Sequence, residues 1–427
     1  MSLLTSLYTG QSGLDASSEE LSVIGDNIAN ANTVGFKASR ADFSDALAQN
    51  LIGDTPGGGG QIGLGANMEV VQKILTEGSL STTGNATDLA IQGQGFFVVK
   101  GNAAGVNGTY YTRDGQFTVD KSGYLVNQAG LRVEGYTANA TGAITPTSAG
   151  DLKVGQASSS PLATTTLTVD ANLAADATTP VAAWDPLNAA ATSNFSTSTT
   201  VYDSLGASHQ VDIYFRKTAA GAWDYHALTD GGGLTAGTAG TPTEIGNGTL
   251  TYNSQGALTA QTTVSTFNPI GSVNPQALAF NFGTSTAAGG TGLDGITQFT
   301  APSATSFLNQ DGYASGQLTA ISVDAKGEVT GGFTNGQSRV LGQVAVADFQ
   351  ASDQLQRMGG NLFAAVPGSG VATVGQPGTA NRGSIVAGAL EQSNVDLSKE
   401  FVTMIAAQRS FQANAKTLTT RISCCKP

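Results

Sequence analysis

Few side chains in this sequence could do chemistry, and their spacing argues against it. Gly58-Gly59-Gly60-Gln61-Ile62-Gly63 satisfies the G-x-G-x-x-G spacing that lets a backbone approach a pyrophosphate. That spacing cradles phosphate only between a strand and a helix, and no such unit frames it here. With 56 glycines in 427 residues, a chance match is the better reading. No Gly-Lys-Ser/Thr follows any glycine-rich loop, and no G-x-S-x-G turn presents a nucleophile. His209 and His226 fall in stretches that read as strands, where a satisfied structural imidazole is expected before a general base. Cys424 and Cys425 stand side by side without a nearby Cys or His to complete a zinc site, and neighbours in sequence pair only under strain. Glycoside cleavage needs two carboxylates paired in space, and nothing selects any pair. The expectation is a protein that is not an enzyme, with no metal and no cofactor.

Charge narrows the partners. There are 19 basic against 31 acidic residues, a net charge of -12, and no Lys/Arg cluster. Neither nucleic acid nor an anionic lipid surface is therefore an expected partner. No apolar run is long enough for a bilayer, so no membrane insertion is expected. No basic residue precedes Lys37, which does not fit a Sec signal. The low-charge body, rich in Thr, Gly and Ala, still reads as exported, which requires a route without a cleaved signal. A hydrophobic share of 40% argues against wholesale disorder, and the length has room for two or three domains.

The elements that would position any site divide into a β middle and two helical ends. Short β-branched or aromatic runs such as "LAIQGQGFFVVKG" alternate with turn residues. One loop form recurs four times, beginning at Asp120, Asp203, Asn253 and Asp324 and closing three residues later with Gly123, Gly206, Gly256 and Gly327. An Asp or Asn that bonds the backbone two residues on, with a glycine at positive φ, makes a hairpin. A Ca²⁺ loop would offer several acidic or amide side chains where each of these offers one. Composition shifts near 145–200 and again near 284–295, which predicts one β-domain inserted into another. The expected division is an N-terminal helix over 1–32, a Gly-rich connector over 33–80, β-domain 1 over 81–150 and 290–375, an inserted outer β-domain 2 over 151–289, and a connector with a C-terminal helix over 376–427.

At the N-terminus Leu7, Leu14, Leu21 and Ile28 recur every seven residues; at the C-terminus Leu397, Met404, Phe411 and Leu418 do the same. Phe401 begins a second C-terminal set, four residues after Leu397, that continues through Gln408, Ala415 and Ile422. Such narrow seams predict two helices that pair as a coiled coil rather than lying on a globular face. Asn27, Asn30, Asn32 and Gly35 supply the stop after the first, and Ser393-x-x-Asp396 offers a capping box for the second. The fold class is thus mainly β, with terminal α-helices pairing as a coiled-coil core and two antiparallel β-domains.

"NIANANTVGFKASRADF" resembles the N-terminal signature of the bacterial flagellar rod and hook proteins, and "GALEQSNVDLSKEFVTMIAAQRSFQANAKTLTT" resembles their C-terminal signature. "GQLTAISVDAKGEVTGGFTNGQSRVLGQVAVADF" and "VYDSLGASHQVDIYF" are closer to hook subunits than to the distal rod subunit, which would lack most of the central insert. The resemblance implies a structural subunit of a flexible hollow tube outside the cell, transmitting torque from rod to filament. Its partners would be further copies of itself in a helical homopolymer, the rod, hook-cap and hook–filament junction proteins, and the flagellar type III export apparatus. It puts both helices at the inner wall, makes the heptad residues the assembly interface, and makes Asn30, Asn32, Thr33, Gly35, Phe36, Lys37, Asn394, Asp396 and Gln408 the signature and connector residues. Residues 53–66 would be a flexible joint. The last seven residues depart from the family pattern, so a frayed tail is expected after Ile422. Another axial subunit, a distal rod or junction protein, is the alternative within the family. A secreted β-rich adhesin or carbohydrate-binding protein is the alternative of another class.

Overall fold

The break after the first heptads forms as its composition predicts. In the computed structural model, which describes residues 3–46, 49–50, 61–103, 105–139, 142–155 and 157–423, a helix runs Leu3–Ala29. The amide of Asn30 is shared between the carbonyls of Asp26 (3.1 Å) and Asn27 (3.2 Å), and Gly35 at φ +69° turns the chain. The second long helix is Leu397–Ser423. Each has 27 residues, about 40 Å of rod. Asp396 itself caps the second helix, its Oδ1 accepting from the amides of Ser398 (2.9 Å) and Lys399 (3.2 Å). The expected capping box is corrected accordingly: Ser393 lies outside the helix, and its hydroxyl accepts from the amide of Val395 instead. Most of the glycine-rich joint and half of the G-x-G-x-x-G match, together with both cysteines and the rest of the tail beyond Ser423, lie outside the described residues.

The chain folds as two compact units, Met1–Ala157 with Thr319–Gly332 and Ser338–Pro427, and Ser158–Leu318 with Phe333–Gln337. In the first, an antiparallel ribbon of Ser39–Asp45 and Ala66–Lys73 leaves the N-terminal helix. A body sheet follows, in which Phe96–Ala103 lies between Val106–Thr112 and Arg132–Thr137. Phe96, Tyr111, Phe349 and Phe363 fill its core, with Tyr111 edge-on to Phe349 at 4.7 Å. Two short pairings bring the ends of the chain together: Leu89–Gln92 with Ser384–Ala387, and Leu80–Thr82 with Ala389–Glu391.

The second unit is a meander of Phe195–Tyr202, Ser208–Ala219, Ala222–Asp230, Pro242–Tyr252 and Leu258–Gln261. It shares one core with a smaller sheet of Ala279–Asn281, Thr166–Asn172 and Ala304–Gln310. Strict alternation of buried and half-buried residues along Thr166–Asn172 shows one face turned to that core. The unit runs past 289, where composition predicts its end. Ala304–Gln310 belongs to it because it pairs along Thr166–Asn172, a contact between stretches some 140 residues apart that composition does not reveal.

All four Asx–Gly loops close hairpins as expected. Asp120, Asp203, Asn253 and Asp324 each accept two backbone amides at 2.8–3.0 Å through Oδ1, and the closing glycines have φ of +73° to +85°. Asn127 builds a fifth turn of this form, its Oδ1 accepting from Ala129 and Leu131.

Candidate functional site

The two terminal helices pack antiparallel, and small residues set how closely. A Cβ on Gly10 would lie 3.4 Å from Leu418 Cγ, and one on Gly13 would lie 2.6 Å from Asn414 Nδ2. One turn further on, Ser17 Oγ is 3.4 Å from Ser410 Oγ. Among the described residues, the buried positions of the N-terminal helix are Gly10, Ser17, Ile24 and Asn27, and Ala407 is buried opposite them on the C-terminal helix. Leu7, Leu14, Leu21 and Ile28 are half-buried on the flank of this seam. Met404 and Leu418 are half-buried too, whereas Leu397, Phe401 and Phe411 are exposed at 41%, 50% and 39%, and Gln408 is exposed. Within one subunit, therefore, glycine and serine make the close contact and much of the apolar heptad set stays open to solvent.

Where the helices meet the β body, a buried polar joint holds them. Lys37 Nζ donates to Glu391 Oε1 at 2.6 Å and to the carbonyl of Thr76 at 2.7 Å. Arg113 Nη1 reaches Glu391 Oε2 at 3.2 Å, and the amide of Gly78 donates to Glu391 Oε1 at 2.9 Å. Lys37, Arg113 and Glu391 are 1%, 3% and 0% exposed. Burial pushes both cations below their ordinary pKa, and the Glu391 carboxylate pulls them back. Arg113 gives further bonds to the carbonyls of Ile91 and Gly93. A buried charge is tolerable only with this density of partners.

The signature residues surround that joint. The amide of Gly35 donates to the carbonyl of Glu391 at 2.7 Å, and a Cβ on Gly35 would stand 2.6 Å from the amide of Asp114. Asn394 Oδ1 accepts from the amide of Ala38, while its Nδ2 donates to the carbonyl of Ile74, both at 2.8 Å. Asn27 pairs with the backbone of Ser39 in both directions, at 2.8 and 2.9 Å. Asn30 bonds back to Asp26, and Thr33 bonds to Asn30. Phe36 is buried under the guanidinium of Arg357, 4.9 Å from its ring centroid. Arg357 also binds Asp26 Oδ2 at 3.2 Å and the carbonyl of Lys37. Asn32 is exposed. Glu391, Arg113 and Arg357 were not singled out from the sequence; the available signal was their rarity, as charged residues are only 12% of the chain.

Each histidine has an aromatic and a carboxylate neighbour. His226 stacks on Trp184 at 4.0 Å and its Nδ1 is 2.8 Å from Glu244 Oε1. His209 lies edge-on to Phe267, with Nε2 3.7 Å from Asp203 Oδ2. Among the described residues, no three His, Cys, Asp or Glu side chains gather as a metal site, and no helix is long and apolar enough to cross a membrane.

The terminal helices thus pair with each other and are anchored by their flanking segments to a β body. Residues 7–37 match the family model "Flagella basal body rod protein" and residues 386–421 match "Flagellar basal body rod FlgEFG protein C-terminal". The middle matches "Flagellar hook protein FlgE/F/G D1 domain" over 90–172 and "Flagellar basal body protein FlaE D2 domain" over 169–313. The flagellar hook protein FlgE of Salmonella typhimurium is 34% identical over 416 residues, 96% of each chain. That of Escherichia coli K12 is 33% identical over 414 residues, again 96% of each. The Helicobacter pylori hook protein FlgE2 structure covers 74% of this chain and 100% of its own, at 13% identity and a TM-score of 0.47. The chain belongs to the flagellar hook protein family.

Proposed function

We propose that this chain is the structural subunit of a flagellar hook, polymerising into a flexible hollow tube outside the cell that transmits torque from rod to filament. The carrying observation is the unused apolar surface of the helix pair. Leu397, Phe401, Val402, Ile405 and Phe411 remain 39–68% exposed after the helices have packed. An apolar stripe of this kind on a long helix seeks further helices. The heptad residues named from the sequence are proposed to meet neighbouring copies at the core of the tube. The Lys37–Glu391–Arg113 joint would carry force between that core and the β body. Rod, hook-cap and hook–filament junction proteins at the ends of the tube, and the type III export apparatus, are the further partners this reading implies. A surface rich in Thr, Ser, Gly and Ala suits outer contacts that exchange as the tube bends.

Electron microscopy of the purified full chain under polymerising conditions tests this: tubes are expected. Phe401→Asp and Phe411→Asp place a charge on the apolar stripe and should leave the monomer folded by circular dichroism while abolishing tubes. Normal tubes from both variants would remove the stripe from the assembly interface. A wild-type chain that stays monomeric throughout would count against the polymer itself.

A further inference from the structure

Charge is divided unevenly between the two terminal helices. Leu3–Ala29 carries Asp15, Glu19, Glu20 and Asp26 and no Lys or Arg, whereas Leu397–Ser423 carries Lys399, Arg409, Lys416 and Arg421 against Glu400 alone. Among the described residues, no ion pair joins the two sets inside the subunit, where the helices touch through Gly10, Gly13 and Ser17. Among the described residues, the ion pair made by the N-terminal helix is Asp26 with Arg357 of the β body.

Several of these charges are ordered into stripes. At about 100° per residue, Tyr8, Asp15, Glu19 and Asp26 fall within roughly 40° of one line, on the side of the helix away from Gly10, Ser17 and Ile24. Tyr8, Ser12, Asp15 and Glu19 form one wall of a groove of about 500 Å³ whose other wall includes Leu64 and Met68. On the C-terminal helix, Val402, Ile405, Arg409 and Lys416 fall within roughly 60° of one line, opposite buried Ala407, and all four are exposed. That stripe is apolar at its start and basic beyond. Placing Asp15 against Arg409 in an antiparallel pair puts Tyr8, seven residues earlier, against Lys416, seven residues later. A carboxylate then meets a guanidinium and an aromatic ring meets an ammonium. The subunit's own C-terminal helix cannot fill the groove, because it already packs on the opposite face of the N-terminal helix.

We propose that the Tyr8–Asp15–Glu19 groove takes the Val402–Ile405–Arg409–Lys416 face of a second copy's C-terminal helix, antiparallel, with Asp15 against Arg409 setting the register. This rests on the polymer reading above and adds which faces meet and why they meet in one register. Each exposed ion pair is weak by itself but recurs at every subunit, and like charges brought face to face repel by a similar amount.

Charge reversal in the full chain tests it, with the critical concentration for polymerisation read by sedimentation and tubes by microscopy. Asp15→Arg and Arg409→Asp should each raise the critical concentration by about fivefold or more, and the gap from wild type should narrow with added salt. The double variant should return to near the wild-type value. An equimolar mixture of the two single variants should also assemble, since the arginine introduced by Asp15→Arg in one chain can then face the aspartate introduced by Arg409→Asp in another. Circular dichroism establishes that each monomer folds. Single variants that assemble like wild type overturn the proposal. So does rescue in the double variant without rescue in the mixture, which would place the pair inside one subunit. Absence of polymer from wild type would instead overturn the assembly reading beneath it.

Discussion

Lys37 and Glu391, 354 residues apart in the chain, meet at 2.6 Å in a site closed to solvent. Glu391 is the hub, because Arg113 takes its second oxygen. Glu391→Gln would leave two cations buried around a neutral amide, whereas Lys37→Met leaves Glu391 paired with Arg113. The first should therefore cost more, about 3–5 kcal/mol, and the second clearly less. Denaturant unfolding of the first unit, followed by circular dichroism, measures the order; the reverse order would show that Lys37 and not Glu391 is the hub.

Two glycines in the same helix should respond in opposite directions. Gly25 is exposed with no atom within 4 Å of a built Cβ, so Gly25→Ala should stabilise the helix by about 0.5–1 kcal/mol. Gly13 faces Asn414, where a Cβ would come within 2.6 Å of Nδ2. Gly13→Leu gains the same propensity but forces the helices apart, for a net loss of about 1–3 kcal/mol. Hydrogen exchange along both helices reads the two effects, and equal protection in the two variants would remove Gly13 from the contact.

These contrasts mark what could be read from residues alone. The four Asx–Gly hairpins are local chemistry, each set by one side chain and one positive φ, so they were legible. The helical ends and their pairing were legible from period, but the residues that make the close contact were not. Leucine repeats are conspicuous, yet Gly10, Gly13 and Ser17 are what the partner helix touches, and small residues leave no hydropathy signal. The joint around Glu391 draws residues from four stretches of chain, and no spacing rule links Lys37, Gly78, Arg113 and Glu391 before the sheets bring them together.

Arg357 tests geometry rather than charge. Its guanidinium lies over Phe36 while bonding Asp26 Oδ2 and the carbonyl of Lys37. Arg357→Lys keeps the cation but loses the planar fork and much of the stacking. A loss of about 1 kcal/mol is expected, with faster hydrogen exchange confined to the turn at residues 30–38. Unchanged exchange there would mean that the turn is held by Asn27 and Asn394 without help from Arg357.

Acid should unfold the second unit in part through Asp311. Burial raises the pKa of its carboxyl, but hydrogen bonds outweigh that effect: the Thr165 hydroxyl at 2.5 Å, with the amides of Thr166 at 3.0 Å and Thr165 at 2.8 Å. The folded value therefore lies below the ordinary one. With the folded pKa depressed, the unfolded chain binds the extra proton in the interval between the two values. The stabilisation is fully present above the ordinary aspartate value of about 4 and is lost as pH falls through the folded one. Both tryptophans of the chain, Trp184 and Trp223, belong to this unit, so their fluorescence reports its unfolding selectively. Denaturant midpoints from tryptophan emission should fall as pH drops from about 5 to about 3. Asp311→Asn removes the titration, so its midpoint should start lower at neutral pH and decline less steeply. Parallel acid profiles for the variant and the wild type would show that the carboxylate bonds to Thr165 and Thr166 do not contribute to holding the two strands of that sheet together.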